Sequence, residues 1–171
     1  MTDHDPKFDP LPTDLYIDGA FRPGADGTRF DVLNPATETI IASVASAEIA
    51  DADAALDAAE RAMADWAART PRARSEVLRK AWELMTARLD DFAHLITLEN
   101  GKARADAMGE ATYAAEFFRW FAEEAVRADG LITQAPASGA RILVQHKPAG
   151  LAVLVTPWNS PAAMGTRKIA P

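Results

Sequence analysis

The chain has 171 residues, 49% of them apolar and 25% charged, which is a globular composition long enough for one ordinary domain. A formal charge of -7, a pI near 4.9 and scattered basic residues exclude general binding to nucleic acid or to an anionic membrane, since both need a concentrated basic surface. There is no cysteine, which excludes disulfides, thiolate metal sites and a thiol nucleophile within these residues. No apolar run approaches the ~18 residues of a membrane span, and a cytoplasmic protein is expected.

Residues 1–13, including the acidic stretch Met1 to Asp9, read as a flexible leader. Leu15-Tyr16-Ile17-Asp18-Gly19 followed by Ala20-Phe21 predicts two short strands around an Asp-Gly turn. Phe30 to Val44 is another extended stretch, interrupted at Asn34-Pro35, so a small antiparallel platform is expected.

Ser46 is the expected cap of a helix in which Ile49, Leu56, Ala59, Met63 and Trp66 recur at helical spacing. Thr70-Pro71 starts a second helix, a capping hydroxyl followed by proline at the position where a missing N–H costs nothing. Its expected buried stripe is Val77, Leu78, Ala81, Trp82 and Met85, and the rings of Trp66 and Trp82 read as core. Asp90 opens a shorter helix through Phe92, Leu95 and Ile96 that should stop near Gly101. Lys102 to Val126 carries Met108, Ala111, Ala115, Phe118 and Phe121 on one face of a fourth. Asp51-Ala52-Asp53 suits a helix N-terminus through the macrodipole, and Glu99 with Lys102 suits capping and surface pairing.

Gly130 to Gly139 reads as a polar link, and Arg141 to His146 alternates well enough to be an exposed β-arm. His4, His94 and His146 share no metal-ligand spacing, so no metal is expected. Leu151 to Val155 is an apolar β-like run that empties into Thr156-Pro157-Trp158-Asn159-Ser160-Pro161. This is the pattern of a strand whose C-terminal tip presents polar groups to a ligand. Two prolines stiffen the backbone, Trp158 supplies a flat wall, and Asn159 offers an amide donor. A fixed donor of this kind stabilises developing oxyanion charge by ~2.7–4 kcal/mol. The alternative is that Asn159 merely closes a turn, as Asn beside Pro does in many loops.

Thr156-Pro157-Trp158-Asn159, with Pro161, Ala162-Ala163-Met164, Thr166-Arg167-Lys168 and Pro171, resembles the aldehyde dehydrogenase superfamily, and within it the succinate-semialdehyde group. Leu15 to Gly19, Asn34-Pro35-Ala36-Thr37, Leu98-Glu99-Asn100-Gly101-Lys102 and His146 to Gly150 resemble the same family in the same order. The resemblance covers nearly the whole chain beyond the leader but only the opening portion of a family member. It implies an α/β fold of the aldehyde dehydrogenase type: an antiparallel platform, helices, an oligomerisation arm and the first strand of the dinucleotide-binding sheet. The implied division is a leader (1–13), strands and helices of the cofactor-domain region (14–139), an arm (140–150), and a first dinucleotide-fold strand with the start of its helix (151–171).

In that family a cysteine thiolate attacks the aldehyde, hydride passes to nicotinamide, and water releases the acid. By resemblance, Asn159 is the oxyanion-hole donor and Lys168 a lysine of proton transfer or local electrostatics. Val155, Thr156, Pro157 and Trp158 line NAD or NADP. Arg167 is part of a clamp on the substrate's far carboxylate, with a surface arginine as the alternative. Met164 lines the substrate tunnel, with core packing as the alternative. Ser160 stands where the family usually has an aromatic, and Gly165 where it has a larger residue, so the tunnel wall is more open here.

The family's adenosine-ribose lysine, pyrophosphate glycine loop, general-base glutamate and nucleophilic cysteine are not found among these residues. The reading is therefore a truncated fragment without dehydrogenase turnover of its own: a remnant, or half of a split enzyme awaiting a C-terminal fragment. Its partners would be a small aldehyde and a complementing fragment or further copies, with neither nucleic acid nor membrane. The alternative is a non-catalytic interaction module whose arm pairs with another sheet edge. A free-standing nucleotide binder is disfavoured because no Gly-rich phosphate loop occurs.

Overall fold

The computed structural model describes residues 11–171; the leader through Pro10, with His4, lies outside them. Strands β1 (Leu15–Ile17) and β2 (Ala20–Arg22) form a hairpin with Ile17 opposite Ala20. Asp18 and Gly19 both have positive φ, 54° and 80°, as the two central residues of a tight hairpin turn require. Strands β3 (Arg29–Leu33) and β4 (Ile40–Ala45) form a second antiparallel pair. Asn34 closes it, its side-chain oxygen accepting from Ala36 N at 2.9 Å. The two hairpins are laced by Arg29, which pairs with Asp14 at 2.6 Å and donates to the Ser43 carbonyl at 2.8 Å. These hairpins are the expected platform.

Helix α1 (Ile49–Ala68) follows, but its first turn is organised by Glu48 and Asp51 rather than by Ser46. The Asp51 carboxylate accepts from Glu48 N at 3.0 Å, which satisfies a donor at the helix start. The apolar stripe of α1 stays open: Leu56, Met63 and Trp66 are each about 40% exposed, so Trp66 is not a core ring. Helix α2 (Pro71–Thr86) starts as expected, with Thr70 Oγ1 accepting from Ala73 N at 3.2 Å. Its Val77 is exposed, while Trp82 is half-buried beneath the Arg119 guanidinium, 5.8 Å from the ring centroid.

Helix α3 (Leu89–Asn100) ends at Gly101, which adopts φ 74° and donates its N–H to Thr97 O at 3.0 Å. Helix α4 (Arg104–Glu124) packs against α2 and α3 and against α5 (Pro161–Ile169). Its most buried positions are alanines 107, 111, 114, 115 and 122, so α4 approaches its neighbours closely; Ala111 and Ala115 belong to the expected face, whose Met108, Phe118 and Phe121 are half-buried at its edge. Ala93, Ile96, Ala107 and Ala111 are buried together, with Leu89, Phe92, Met108 and Ala162 packed against them.

The arm differs from expectation. Strand β5 (Leu131–Gln134) lies inside the stretch read as a polar link, and it pairs with β6 (Arg141–Val144), Leu131 opposite Val144. The arm is therefore a hairpin of which residue 140 is part of the turn, and its second strand ends before His146. Leu131, Ile132 and Leu143 point largely into solvent. Residues 151–157 make no ladder with any described strand, and Leu151, Val153 and Val155 are 45%, 74% and 76% exposed. A parallel strand owes its persistence to neighbours on both edges, and none is present among the described residues.

Candidate functional site

The candidate residues cluster where the run 151–157 turns into α5. Pro161 opens that helix, and its missing N–H is one the first turn does not use. The free N–H groups of Ala162 and Ala163 instead point at Glu110, whose Oε1 accepts them at 3.0 and 3.3 Å. Glu110 comes from the middle of α4 and is buried. Its negative charge faces the positive end of the α5 dipole.

The second oxygen of Glu110 ion-pairs with Lys102 Nζ, which also donates to the Asn159 carbonyl at 3.3 Å. Asn100 Nδ2 donates to the Trp158 carbonyl at 3.1 Å. At the other end of the loop, Lys168 Nζ donates to the Val155 carbonyl. The backbone of 155–159 is thus gripped by three side chains through its carbonyl oxygens. The side chains it carries are left outward: Val155, Thr156, Trp158 and Asn159 are exposed. The Asn159 side-chain amide has no hydrogen-bond partner among the described residues.

Ser160, Met164, Arg167 and Lys168 follow one another at the spacing that shares a helix face. Arg167 Nη1 lies 3.7 Å from Met164 Sδ, and the guanidinium is exposed with no carboxylate partner among the described residues. Ser160 and Met164 are half-buried. A carboxamide donor therefore precedes the start of α5, and a guanidinium without a carboxylate partner among the described residues stands in its last turn. No group of three metal-ligating side chains occurs among the described residues.

The expected pairing of Glu99 with Lys102 does not occur; the ammonium goes to Glu110, across two turns of chain, because that carboxylate is buried and needs it. Although part of Glu99 is open to solvent, its carboxyl is raised above the usual carboxylate range, first by desolvation and then by the neighbouring Glu110 charge. Sequence reading missed the parts of Asn100, Lys102 and Glu110. One signal was available: Glu110 falls within the alanine stripe of α4, and a carboxylate at a buried register position must have partners. A groove of about 590 Å³ lined by Trp66, Leu78, Phe121, His146 and Ile169 contains none of the candidate site residues.

The site is thus an outward carboxamide on a pinned, proline-flanked loop, followed by a helix bearing a guanidinium with no carboxylate partner among the described residues. The chain belongs to the aldehyde dehydrogenase family, whose pattern residues 21–171 match. Over 132 residues it is 54% identical to the succinate-semialdehyde dehydrogenase of Paenarthrobacter nicotinovorans, covering 77% of this chain and 29% of that one. It is 42% identical over 155 residues to the NADP(+) succinate-semialdehyde dehydrogenase of Escherichia coli strain K12, covering 91% and 32%. The crystal structure of an aldehyde dehydrogenase from Brucella melitensis biovar abortus 2308 superposes with a TM-score of 0.90 at 43% identity, covering 97% of this chain and 34% of that one. The chain spans about a third of the length of the relatives it matches. The fold expectation, the N-terminal portion of an aldehyde dehydrogenase, holds. No helix among the described residues is long and apolar enough to cross a membrane.

Proposed function

We propose that this chain supplies the oxyanion and carboxylate-binding side of an NAD(P)-dependent aldehyde dehydrogenase site that oxidises a semialdehyde acid, such as succinate semialdehyde, to the dicarboxylate. The observation that carries the reading is the contrast at Asn159: its backbone is held by Lys102, while its exposed side-chain amide has no partner among the described residues. An amide held this way donates to an oxygen that becomes negative when a nucleophile adds to the aldehyde carbon. Arg167 takes the far carboxylate, and Met164 and Ser160 form the wall between them. A guanidinium suits that task because it binds a carboxylate through two parallel hydrogen bonds.

Val155, Thr156, Pro157 and Trp158 fit one wall of a dinucleotide site, an exposed apolar run ending in a flat ring. When bound, NAD or NADP would accept hydride from the substrate carbon. The Lys168 ammonium, tied to the Val155 carbonyl, fixes that wall against α5 and carries positive charge beside it. With no cysteine among these 171 residues, the thiolate must come from outside them, and the chain alone is expected to be inactive. A cytoplasmic setting is part of the same proposal.

The test joins these residues to the segment that follows the matched region in the Paenarthrobacter nicotinovorans relative. The fusion should oxidise succinate semialdehyde with NAD or NADP, and Asn159→Ala should lower kcat about 10²–10³-fold. Turnover by the 171-residue chain alone, or an unchanged kcat in the Asn159→Ala fusion, would refute the reading. A non-catalytic module is the second reading, favoured by the wholly exposed β5–β6 hairpin, whose outer edge could pair with another subunit. Stable folding with self-association through that hairpin, and no gain of activity on fusion, would favour it.

A further inference from the structure

We propose that Glu110 is a positioning residue for Asn159, acting through Lys102 and through the first turn of α5. The inference rests on the reading of Asn159 as the oxyanion donor, but its core is a statement about order in the loop. Between the apolar run at 151–155 and α5 the chain has no ladder partner among the described residues, so no described strand fixes Trp158 and Asn159. Asn100 holds the Trp158 carbonyl from one side, and what holds Asn159 and the start of α5 next to it is a buried carboxylate with two oxygens turned to two tasks. Oε1 accepts from Ala162 N and Ala163 N and sets where α5 begins. Oε2 holds the Lys102 ammonium, and that ammonium reaches the Asn159 carbonyl at 3.3 Å.

The position of Glu110 is set by the core. Its neighbours on α4, Ala107, Ala111 and Ala114, are fully buried against the adjoining helices, so the carboxylate rides on the most immobile face of the molecule. Lys102 is likewise anchored, one residue beyond Gly101, whose left-handed backbone ends α3. Grip on the carbonyl oxygens leaves the Asn159 amide nitrogen free to donate elsewhere. A loop held from its backbone by a core carboxylate supplies a preorganised donor, and a donor that must be ordered during reaction stabilises charge less.

The experiment measures backbone and side-chain ¹⁵N relaxation on the 171-residue chain. In the parent, Trp158 and Asn159 should show order parameters near the rigid value of about 0.85. Glu110→Gln keeps the shape and a carbonyl oxygen for Ala162 and Ala163 but withdraws the charge that holds Lys102. It should leave the dispersed spectrum of α4 intact while Trp158 and Asn159 fall below about 0.6. Lys102→Met should give the same local loss, and Lys102→Arg, which keeps the charge, should restore most of the order. If Glu110→Ala fails to fold, the glutamine variant and the Lys102 pair still decide the matter.

Unchanged order at Trp158 and Asn159 in a folded Glu110→Gln chain would overturn the proposal, as would equal loss in Lys102→Arg and Lys102→Met. In the active fusion, Glu110→Gln should lower kcat while leaving KM within about two-fold, as loss of an interaction made only in the transition state does. The two readings fail separately. An ordered loop that loosens as described, in a fusion whose kcat ignores Asn159→Ala, sinks the oxyanion reading and spares the positioning one.

Discussion

Asp51 Oδ2 accepts the Ala25 amide N–H at 2.9 Å, joining the first turn of α1 to the loop after β2 across 26 residues of chain. The same carboxylate accepts from Glu48 N at 3.0 Å and pairs with Arg22 Nη2 at 3.3 Å. Sequence reading gave Asp51 only a favourable place on the helix dipole; its larger part is to join platform and helix.

The Asp51 carboxyl is held below its usual range, chiefly by the Glu48 and Ala25 amides and then by Arg22. The unfolded chain therefore binds this proton more readily than the folded one, and the stability it adds is fully present above about pH 4. That contribution is lost as pH falls through the depressed folded value. Thermal unfolding of Asp51→Asn against the parent should show a wide gap in Tm at pH 7 that narrows steadily below about pH 4. A gap that widens in acid would contradict this.

Gly101 couples the platform to the site. Its φ of 74° is strained for any side chain, and a Cβ there would meet Pro35 Cγ at 2.8 Å. Gly101→Ala should destabilise the chain by about 1–3 kcal/mol, read from urea unfolding. Because Asn100 and Lys102 flank it, the same variant should also shift the Trp158 indole resonance. A change in stability with Trp158 undisturbed would mean that the loop is held independently of this turn.

Arg167 has no ion-pair partner among the described residues. In the fusion, Arg167→Leu should raise KM for succinate semialdehyde about ten- to a hundred-fold, the loss expected of a charge-assisted contact. KM for an uncharged aldehyde of similar length should hardly move. Equal losses for both substrates would take Arg167 out of the carboxylate clamp.

Residues 151–156 have no described ladder partner and carry Val153 and Val155 three-quarters exposed. Their amides should exchange with solvent far faster than those of Ala111 to Ala115 in α4. Strong protection in a monomer would show that this run has found partners of its own.

Local chemistry made much of this molecule legible. Asp18-Gly19 could only be a tight turn, Thr70-Pro71 could only start a helix well, and Gly101 could only stop one, because each depends on backbone terms carried by the residue itself. Asn159, Arg167 and Lys168 are candidates on the strength of a short contiguous motif. Strand β5 was not, since Leu131–Gln134 is a strand only by pairing with Arg141–Val144. Trp66 was misread because periodicity shows that a face is apolar and cannot show whether anything covers it.

The family, most of the helix boundaries and the candidate residues Asn159, Arg167 and Lys168 are legible in nearest neighbours and helical spacing, whereas the start of α1 is set by Glu48 and Asp51 instead of Ser46. Packing of the fold brings Glu110 to both Lys102 and the first turn of α5, Asp51 to Ala25, and Lys102 to the Asn159 carbonyl, with the Asn159 amide unpartnered among the described residues. Those contacts join groups 8, 26, 52 and 57 positions apart, and no local pattern encodes which donor a buried carboxylate will meet.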